Sequence, residues 1–583
     1  MASTTSLLTG LSGLSANSAR LEVIGNNISN VNTTAFKSSR ALFSANFSKN
    51  LSLGSSPSAS SGGSNPGQIG LGVNVAGTQR NFTSGSISPT GVNTDLAIEG
   101  DGFFIVERDS EEFFTRAGSF RLNSLNELVN GAGDRVLGFD VDDSFNIIAG
   151  QPTSLTIPVG SLTIAEATQN VSFSGNLNAD FEGLPTQGGL LTFDQPLNDT
   201  GGAPLAGPGA LLFNNLEDPD NPGTALFPAG GEPYTLSISG AQKGEKTVPA
   251  LSMTIDAANG TVQDLLDLLN NVYGIIPGMT NPDGSTTGAA YNAGTGEITV
   301  VSNAGELNNL TLTASNLQIL DSAGASISNP FTVTQDAATD VSDGESVRTS
   351  FIVYDSLGTP LTVDLTLVME GADTTGTQWR YYLDSADKLD PADVSLSLGT
   401  GTIAFDTEGQ LLSQGGIPLT LPRVGTGAEN PNVISLNLSA GDNGITALVD
   451  NESSLGATFQ DGTPIGTLSD FTVNENGVIT GGFSNGLSRT VGQIALATFT
   501  NSAGLVESGN NLFRVGANSG TALVTNPGEF GTGRVIGGAL ELSNVDLGQE
   551  FIDMILTSTG YSASSRVITT ADELLQQLVQ ISR

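Results

Sequence analysis

TTSLLTGLSGLSANSARLEVIGNNISNV, residues 4–31, decides the fold. Leu7, Leu14, Leu21 and Ile28 recur every seven residues, and Leu11, Ile24 and Val31 fill neighbouring positions of the same stripe. This is a heptad-like seam without proline, the pattern of a helix that buries one face against another helix. Ser3, Thr4 or Thr5 suits its N-cap. A helix of about 27 residues spans roughly 40 Å.

The far end repeats the pattern. Met554, Tyr561, Ile568 and Leu575 are spaced by seven, while Phe551, Ser558, Ser565, Asp572 and Val579 take the second seam position. A helix is expected from about residue 545 to 581, capped by Asn544 or Asp546, with Gly560 as a weak point costing about 1 kcal/mol against Ala. Neither helix can bury its stripe alone. Either they pair with each other, parallel or antiparallel, on a globular core, or both stripes bury against copies of the chain in an assembly. The polar face of the first helix is Ser, Thr and Asn rather than Lys and Arg, which argues against a membrane-surface helix.

Charge separates the ends from the middle. Residues 1–60 hold Arg20, Lys37, Arg40 and Lys49 against Glu22; residues 545–583 hold Arg566 and Arg583 against Asp546, Glu550, Asp553, Asp572 and Glu573. The ends therefore cancel, and the chain's net charge of −39 belongs to residues 61–544. So acidic a chain is unsuited to nucleic acid, whose phosphates need counter-charge from the protein. With no Cys and no His, it has no disulfide, no thiolate nucleophile, no Ser–His–Asp triad and no usual zinc site. No charged n-region precedes an apolar run at the N-terminus, no apolar stretch is long enough to span a membrane, and Ala2 stands where a myristoylation motif needs Gly.

Residues 32–70 lose periodicity, and Ser52–Gly70 (SLGSSPSASSGGSNPGQIG) reads as a flexible linker or irregular arm. From about 71 to 464 the signals are β. Alternation is clear in Leu361-Thr-Val363-Asp-Leu365-Thr-Leu367-Val-Met369, in Tyr234-Thr-Leu236-Ser-Ile238 and in Ile434-Ser-Leu436-Asn-Leu438. Turn dipeptides punctuate them: Asn130-Gly131, Asp283-Gly284, Asp343-Gly344, Asn443-Gly444, Asp461-Gly462 and Asn476-Gly477. One helical island, Gly260–Tyr273, interrupts, apolar at 262, 265, 266, 269 and 273. The fold class is multidomain and mainly β: antiparallel sandwich- or barrel-like domains as nested insertions between N- and C-terminal α-helices that form a coiled-coil-like inner domain.

Three segments go beyond pattern. The first is Ile24-Gly25-Asn26-Asn27-Ile28-Ser29-Asn30-Val31-Asn32-Thr33-Thr34-Ala35-Phe36-Lys37. The second is Leu71–Val75 followed by Asp95–Gly100, Asp101-Gly102-Phe103-Phe104 and Thr115–Phe120. The third is Gly538–Leu542, Ser543-Asn544-Val545-Asp546-Leu547. Together they resemble the axial rod and hook proteins of the bacterial flagellum, over residues 1–145 and 465–583. Length separates the members: the chain carries over 300 residues where rod subunits carry few. Phe471–Thr480, Val491–Phe499, Val353–Pro360 and Trp379–Tyr382 are similar to segments of the hook members.

The resemblance implies a structural subunit, not an enzyme, without cofactor or metal. It polymerises with itself into a curved tube that joins rod to filament, transmits torque and encloses the export channel. Its implied partners are further copies, the distal rod, the hook cap, the hook–filament junction proteins and the flagellar type III export apparatus, with no nucleic acid and no membrane insertion. Its implied place is the extracellular hook of the basal body, reached without a cleavable signal peptide. The packing residues implied are Leu7, Leu11, Leu14, Leu21, Ile24, Ile28, Phe551, Met554, Tyr561, Ile568, Leu575 and Val579. The expected division is residues 1–31 with 545–583 as inner helices, 32–70 as an arm, 71–146 with 465–544 as an inner β domain, 147–185 with 341–464 as an outer one, and 186–340 as an additional outermost module similar to one in flagellins and hook-associated proteins. An elongated distal-rod-type subunit, or an extracellular β-rich adhesin or glycan-active protein, are the alternative readings. Asp140-Val-Asp142-Asp143 and Glu217–Asn221 have the chemistry of Ca²⁺ ligands but no EF-hand spacing, and read as solvated acidic loops.

Overall fold

A computed structural model describes residues 2–581 apart from 203–206, 208–211, 228–232, 257–258, 328, 330, 416–417, 440–443 and 450; the turn residue Asn443 lies outside the described residues. The chain divides into two compact units, Met1–Thr163 with Thr467–Arg583, and Ile164–Gly466.

The first unit is closed by both ends of the chain. Helix α1 (Ala2–Ser29) and the C-terminal helix, α3 (Leu547–Ile581), pack together. After α1, Ser39–Ala45 pairs antiparallel with Val73–Arg80, and Ser48–Ser52 with Gly67–Gly70. The segment expected to be a flexible arm is thus a two-stranded ribbon, extended by bridges Ser55↔Ser64 and Ser58↔Ser61. Sequence periodicity missed it because neither face of its outer part is buried, so no apolar–polar alternation marks the strands.

Beyond the ribbon, Phe103–Arg108 forms a hairpin with Glu111–Thr115 and also pairs with Arg135–Phe139 and Leu496–Thr498. Leu96–Glu99 pairs with Arg534–Gly537, and Ile87–Pro89 with Ala539–Glu541. Segments from the two ends of the sequence therefore alternate in space. The core gathers Phe103, Ile105, Phe114, Leu137, Ala497 and Phe513, with edge-to-face contacts from Phe103 to Phe82, Phe499 and Phe513.

In the second unit, Ser346–Tyr354, Pro360–Asp373, Gly376–Asp384, Ser397–Phe405 and Leu411–Gly415 form an antiparallel meander. Its inward residues, among them Val363, Leu365, Leu367 and the fully buried Trp379, share a core with Asn170–Leu177 and its neighbours. A separate core, drawn from residues 191–331, surrounds helix α2 (Val262–Tyr273). This is the predicted helical island: all five of its apolar positions are buried. The Asp264 carboxylate accepts the Thr261 N–H at 2.7 Å, and Gly274 ends the helix at φ 59°.

One turn chemistry recurs in both units. The Oδ1 of Asn123, Asn130, Asp142, Asp321, Asp355, Asp406 and Asn474 accepts the N–H groups two and four residues on. The residue three positions on has positive φ, for instance Gly358 and Gly409, both at 76°. At Asn130-Gly131 the left-handed residue is therefore Gly133, not Gly131. Asp142 works as such a turn residue, its carboxyl held below the ordinary range chiefly by the Asn146 backbone N–H.

Candidate assembly site

Helix α1 runs antiparallel to α3. A Cβ placed on Gly10 would lie 3.0 Å from Ile568 Cγ1, one on Gly13 2.9 Å from Ser564 Oγ, and one on Gly560 3.2 Å from the Asn17 amide. Farther along, Arg20 donates to Asp553 at 2.9 Å, and Asn27 donates to Glu550 at 2.8 Å. The face that α1 turns to α3 therefore runs through Gly10, Gly13, Asn17, Arg20 and Asn27, a small and polar seam that brings the backbones close. Gly560, which costs helix propensity, makes room for Asn17.

The heptad residues lie around this seam. Ile24 is buried; Leu7, Leu14, Leu21, Ile28, Met554, Ile568 and Leu575 are half-buried; Leu11, Phe551, Tyr561 and Val579 are exposed. Leu8, Ile552, Ile555, Leu556, Val567 and Leu574 are exposed beside them, Leu556 at 61%. The pair presents a broad apolar surface outward. Among the described residues no helix is long and apolar enough to cross a membrane.

At the foot of the helices the first and third segments meet. Asn27, 1% exposed, donates to the Ser39 carbonyl and accepts the Ser39 N–H, which fixes the start of the ribbon to α1. Burial raises the Glu550 carboxyl above its ordinary value, partly offset by the bond from Asn27. Asn30 donates to the Asn26 carbonyl and accepts from Thr33. Ala35, at φ 57°, donates to the Glu541 carbonyl. The Asn544 amide donates to the Asn81 and Thr83 carbonyls and accepts the Ser38 N–H. Ser543 Oγ lies 3.4 Å from the Val545 N–H it accepts. Asp546 caps α3 by accepting the Gly548 and Gln549 N–H groups. Gly25 and Asn32 are exposed, and Phe36 is buried. Asn26, Asn30 and Thr33 line a polar cleft of about 690 Å³ with Thr115, Asn130 and Asn511. In the second segment Gly102 has φ 125°, and Phe103 and Phe104 are core residues.

Below the helices lies a charge cluster. Lys37 Nζ donates to Glu541 Oε1 at 2.6 Å and to the Thr83 carbonyl at 2.8 Å; both charged side chains are 0% exposed. The Gly85 N–H donates to the same carboxylate oxygen, and Arg116 stands 3.6 Å from the other while donating to the Gly100 carbonyl. Desolvation lowers Lys37 below its ordinary pKa despite the attraction of Glu541, and does the same to Arg116. Glu541 and Arg116 lie inside segments singled out above, yet sequence spacing gives no sign that they meet Lys37. Other charges stand in the same segments, Asp95, Glu99, Asp101 and Asp546 among them, and nothing in the sequence separates the buried ones from these.

Comparison with known proteins fits this geometry. Residues 7–37 match a family model described as "Flagella basal body rod protein", 97–176 "Flagellar hook protein FlgE/F/G D1 domain", 319–463 "Flagellar basal body protein FlaE D2 domain", and 536–581 "Flagellar basal body rod FlgEFG protein C-terminal". A chain whose two ends carry the rod-type helices around β domains is an axial structural subunit of the flagellum. The flagellar hook protein FlgE of Borreliella burgdorferi is 30% identical over 582 residues, with 99% of each chain covered. That of Treponema pallidum is 28% identical at the same coverage, and that of Salmonella typhimurium 25% with 98% of each covered. A solved structure, the Helicobacter pylori flagellar hook protein FlgE2, is 21% identical and covers 78% of this chain with a TM-score of 0.36. The chain belongs to the flagellar hook protein FlgE family: it is a structural subunit of the hook, and not an enzyme.

Proposed function

We propose that the chain polymerises through its terminal helices into a curved, flexible tube, a universal joint that passes torque from rod to filament and encloses the export channel. The observation that carries this reading is the division of the helix pair into two surfaces. The residues that α1 turns to α3 at its closest approach are mainly glycine and polar, Gly10, Gly13, Asn17, Arg20 and Asn27, with Ile568 and Val567 facing Gly10 from α3, while Leu8, Leu11, Ile552, Ile555 and Leu556 face outward. An apolar surface of that extent marks a site of association. A contact between unlike patches that does not close on itself propagates as an open helix.

In this reading residues 1–31 with 545–583 form the inner layer, and 32–70 joins it to a first β layer, 71–146 with 465–544. A second layer, 147–185 with 341–464, carries 186–340 outermost. The tube's ends meet distal rod, hook cap and junction proteins, and the subunit reaches its site through the flagellar type III export apparatus, without a cleavable signal peptide. Electron microscopy of concentrated protein tests the central claim. Short curved tubes are expected from the wild type, and none from Leu556→Asp or Leu14→Asp, while the β domains keep their circular dichroism. Wild-type protein that stays monomeric at every concentration overturns the reading.

A further inference from the structure

Within the second unit, the α2 core (residues 191–331) is joined to the meander twice. The first joint is a neck, where the chain enters and leaves that core. There the Thr186 and Gln187 N–H groups donate to Asp343 Oδ1 at 2.7 and 3.0 Å, the Gly305 N–H donates to the Asp343 carbonyl, and Ser342 Oγ donates to the Gly305 carbonyl. By itself such a neck is a pivot.

The second joint is a hairpin. Gln242–Lys243 pairs with Lys246–Thr247 across a two-residue turn, Gly244-Glu245, with Gly244 at φ 60°. Lys243 and Lys246 stand directly opposite each other, so both ammonium groups leave the hairpin on one face and repel. They are two of the chain's five lysines. On the meander, Asp364 and Asp384 also stand directly opposite each other, and repel in the same way. Docking brings the two repelling pairs together: Lys243 donates to Asp384 at 2.7 Å, and Lys246 to Asp364. Arg348 of the meander donates to the Lys243 and Leu307 carbonyls. The Leu396 N–H donates to the Asn271 carbonyl near the end of α2 at 3.2 Å, and the Leu396 side chain packs on the α2 core. The four charges and Arg348 line a cavity of about 100 Å³, room for several waters at ~10–15 Å³ each. Ion pairs with water at hand gain little over their separated, hydrated state, so this joint fixes an angle without being permanent.

We infer that the Gln242–Thr247 hairpin is an electrostatic latch. Closed, it makes the α2 core and the meander one rigid body; open, it lets the α2 core turn on the neck. The matched register carries the inference: each like-charged pair is unfavourable alone, and the two cancel only when docked face to face. The latch belongs to the single chain and is independent of how copies assemble.

The chain has no cysteine, so spin labels can be placed singly. In the full chain labelled at Ser322→Cys and Thr374→Cys, exposed sites on the α2 core and on the meander, pulsed dipolar spectroscopy is expected to give one narrow distance. Lys246→Glu, at a side chain 46% exposed, sets a third carboxylate beside Asp364 and Asp384 and should broaden that distance. Lys246→Gln should fall between, and adding Asp364→Lys to Lys246→Glu should restore the narrow distance. Amide exchange locates the motion. In Lys246→Glu the Leu396 N–H should exchange about tenfold faster, the weight of one attraction turned into a repulsion, while the Gly305 and Glu306 N–H groups at the neck stay unchanged. A wild-type distance that is already broad, a distance identical in every variant, no recovery on swapping the pair, or Leu396 and the neck amides quickened together overturns the latch.

Discussion

Two cations share one carboxylate beneath the helix pair, and that asymmetry ranks the substitutions. Removing Glu541 leaves Lys37 and Arg116 buried without a counter-charge, so Glu541→Gln is expected to destabilise the first unit by about 3–5 kcal/mol. Lys37→Met should cost clearly less, because Arg116 still faces the carboxylate. Urea denaturation followed by a probe in the first unit checks the order; equal losses would show that Arg116 contributes nothing. Because desolvation lowers Lys37 in the folded chain, the unfolded chain binds its proton more tightly. Stability should therefore rise with pH above the folded pKa towards about 10.4, and Lys37→Met should abolish that rise. Asp461 gives the opposite case. Burial alone would raise it, but bonds from the Asn170 and Gln169 N–H groups and the Asn170 amide hold it below its ordinary value. Its contribution is complete above about pH 3.9 and is lost as the pH falls through its folded value. Asp461→Ala should flatten the acid limb of the second unit's stability profile. These roles were out of reach of the sequence, since Lys37 and Glu541 are 504 residues apart and no periodicity reports that a charge is buried.

At the scale of elements, both terminal helices and α2 were legible from their period, and so was the Asp546 cap of α3; Ser3, Thr4 and Thr5, expected to cap α1, instead lie inside it, because the helix begins at Ala2. What the period could not tell was which face meets which. The leucine heptads and the stripe through Gly10, Gly13, Asn17, Arg20 and Asn27 run along α1 with nearly the same repeat, and the apolar one draws the reading. The close seam belongs to the small one. Gly10→Leu should therefore force the helices apart, since even a Cβ would sit 3.0 Å from Ile568. Limited proteolysis should find both termini newly susceptible and tubes absent; a resistant helix pair would contradict the seam. Individual strands were legible where alternation is long and clean, as in Leu361–Met369, Tyr234–Ile238 and Ile434–Leu438, and illegible in the Ser-rich ribbon, whose outer part meets water on both faces. The turns were partly legible: an Asn or Asp three residues before a Gly marks the five-residue loops better than an Asn-Gly or Asp-Gly pair.

At the scale of the molecule, the acidic charge lies outside the terminal helices. Added salt screens it within about 8–10 Å at 0.1–0.15 M. Assembly by apolar helix faces should accordingly strengthen as salt rises, with a lower critical concentration at 0.5 M than at 0.05 M sodium chloride. A higher one would point to ion pairing between copies as the leading attraction.

The interleaving of the first unit has a consequence for how the chain is made. The second unit is one unbroken stretch, Ile164–Gly466, and needs nothing from outside itself to close its cores. The first cannot close until strands from both ends of the sequence are present together, because Ala539–Glu541 completes the pairing of Ile87–Pro89. Whichever end emerges first, the helix surface proposed to join copies should mature last, delayed by the slow closure of a very long loop. A truncated or half-delivered chain can fold its middle but is never competent to add to a growing tube, so completeness is checked by topology before a subunit takes its place.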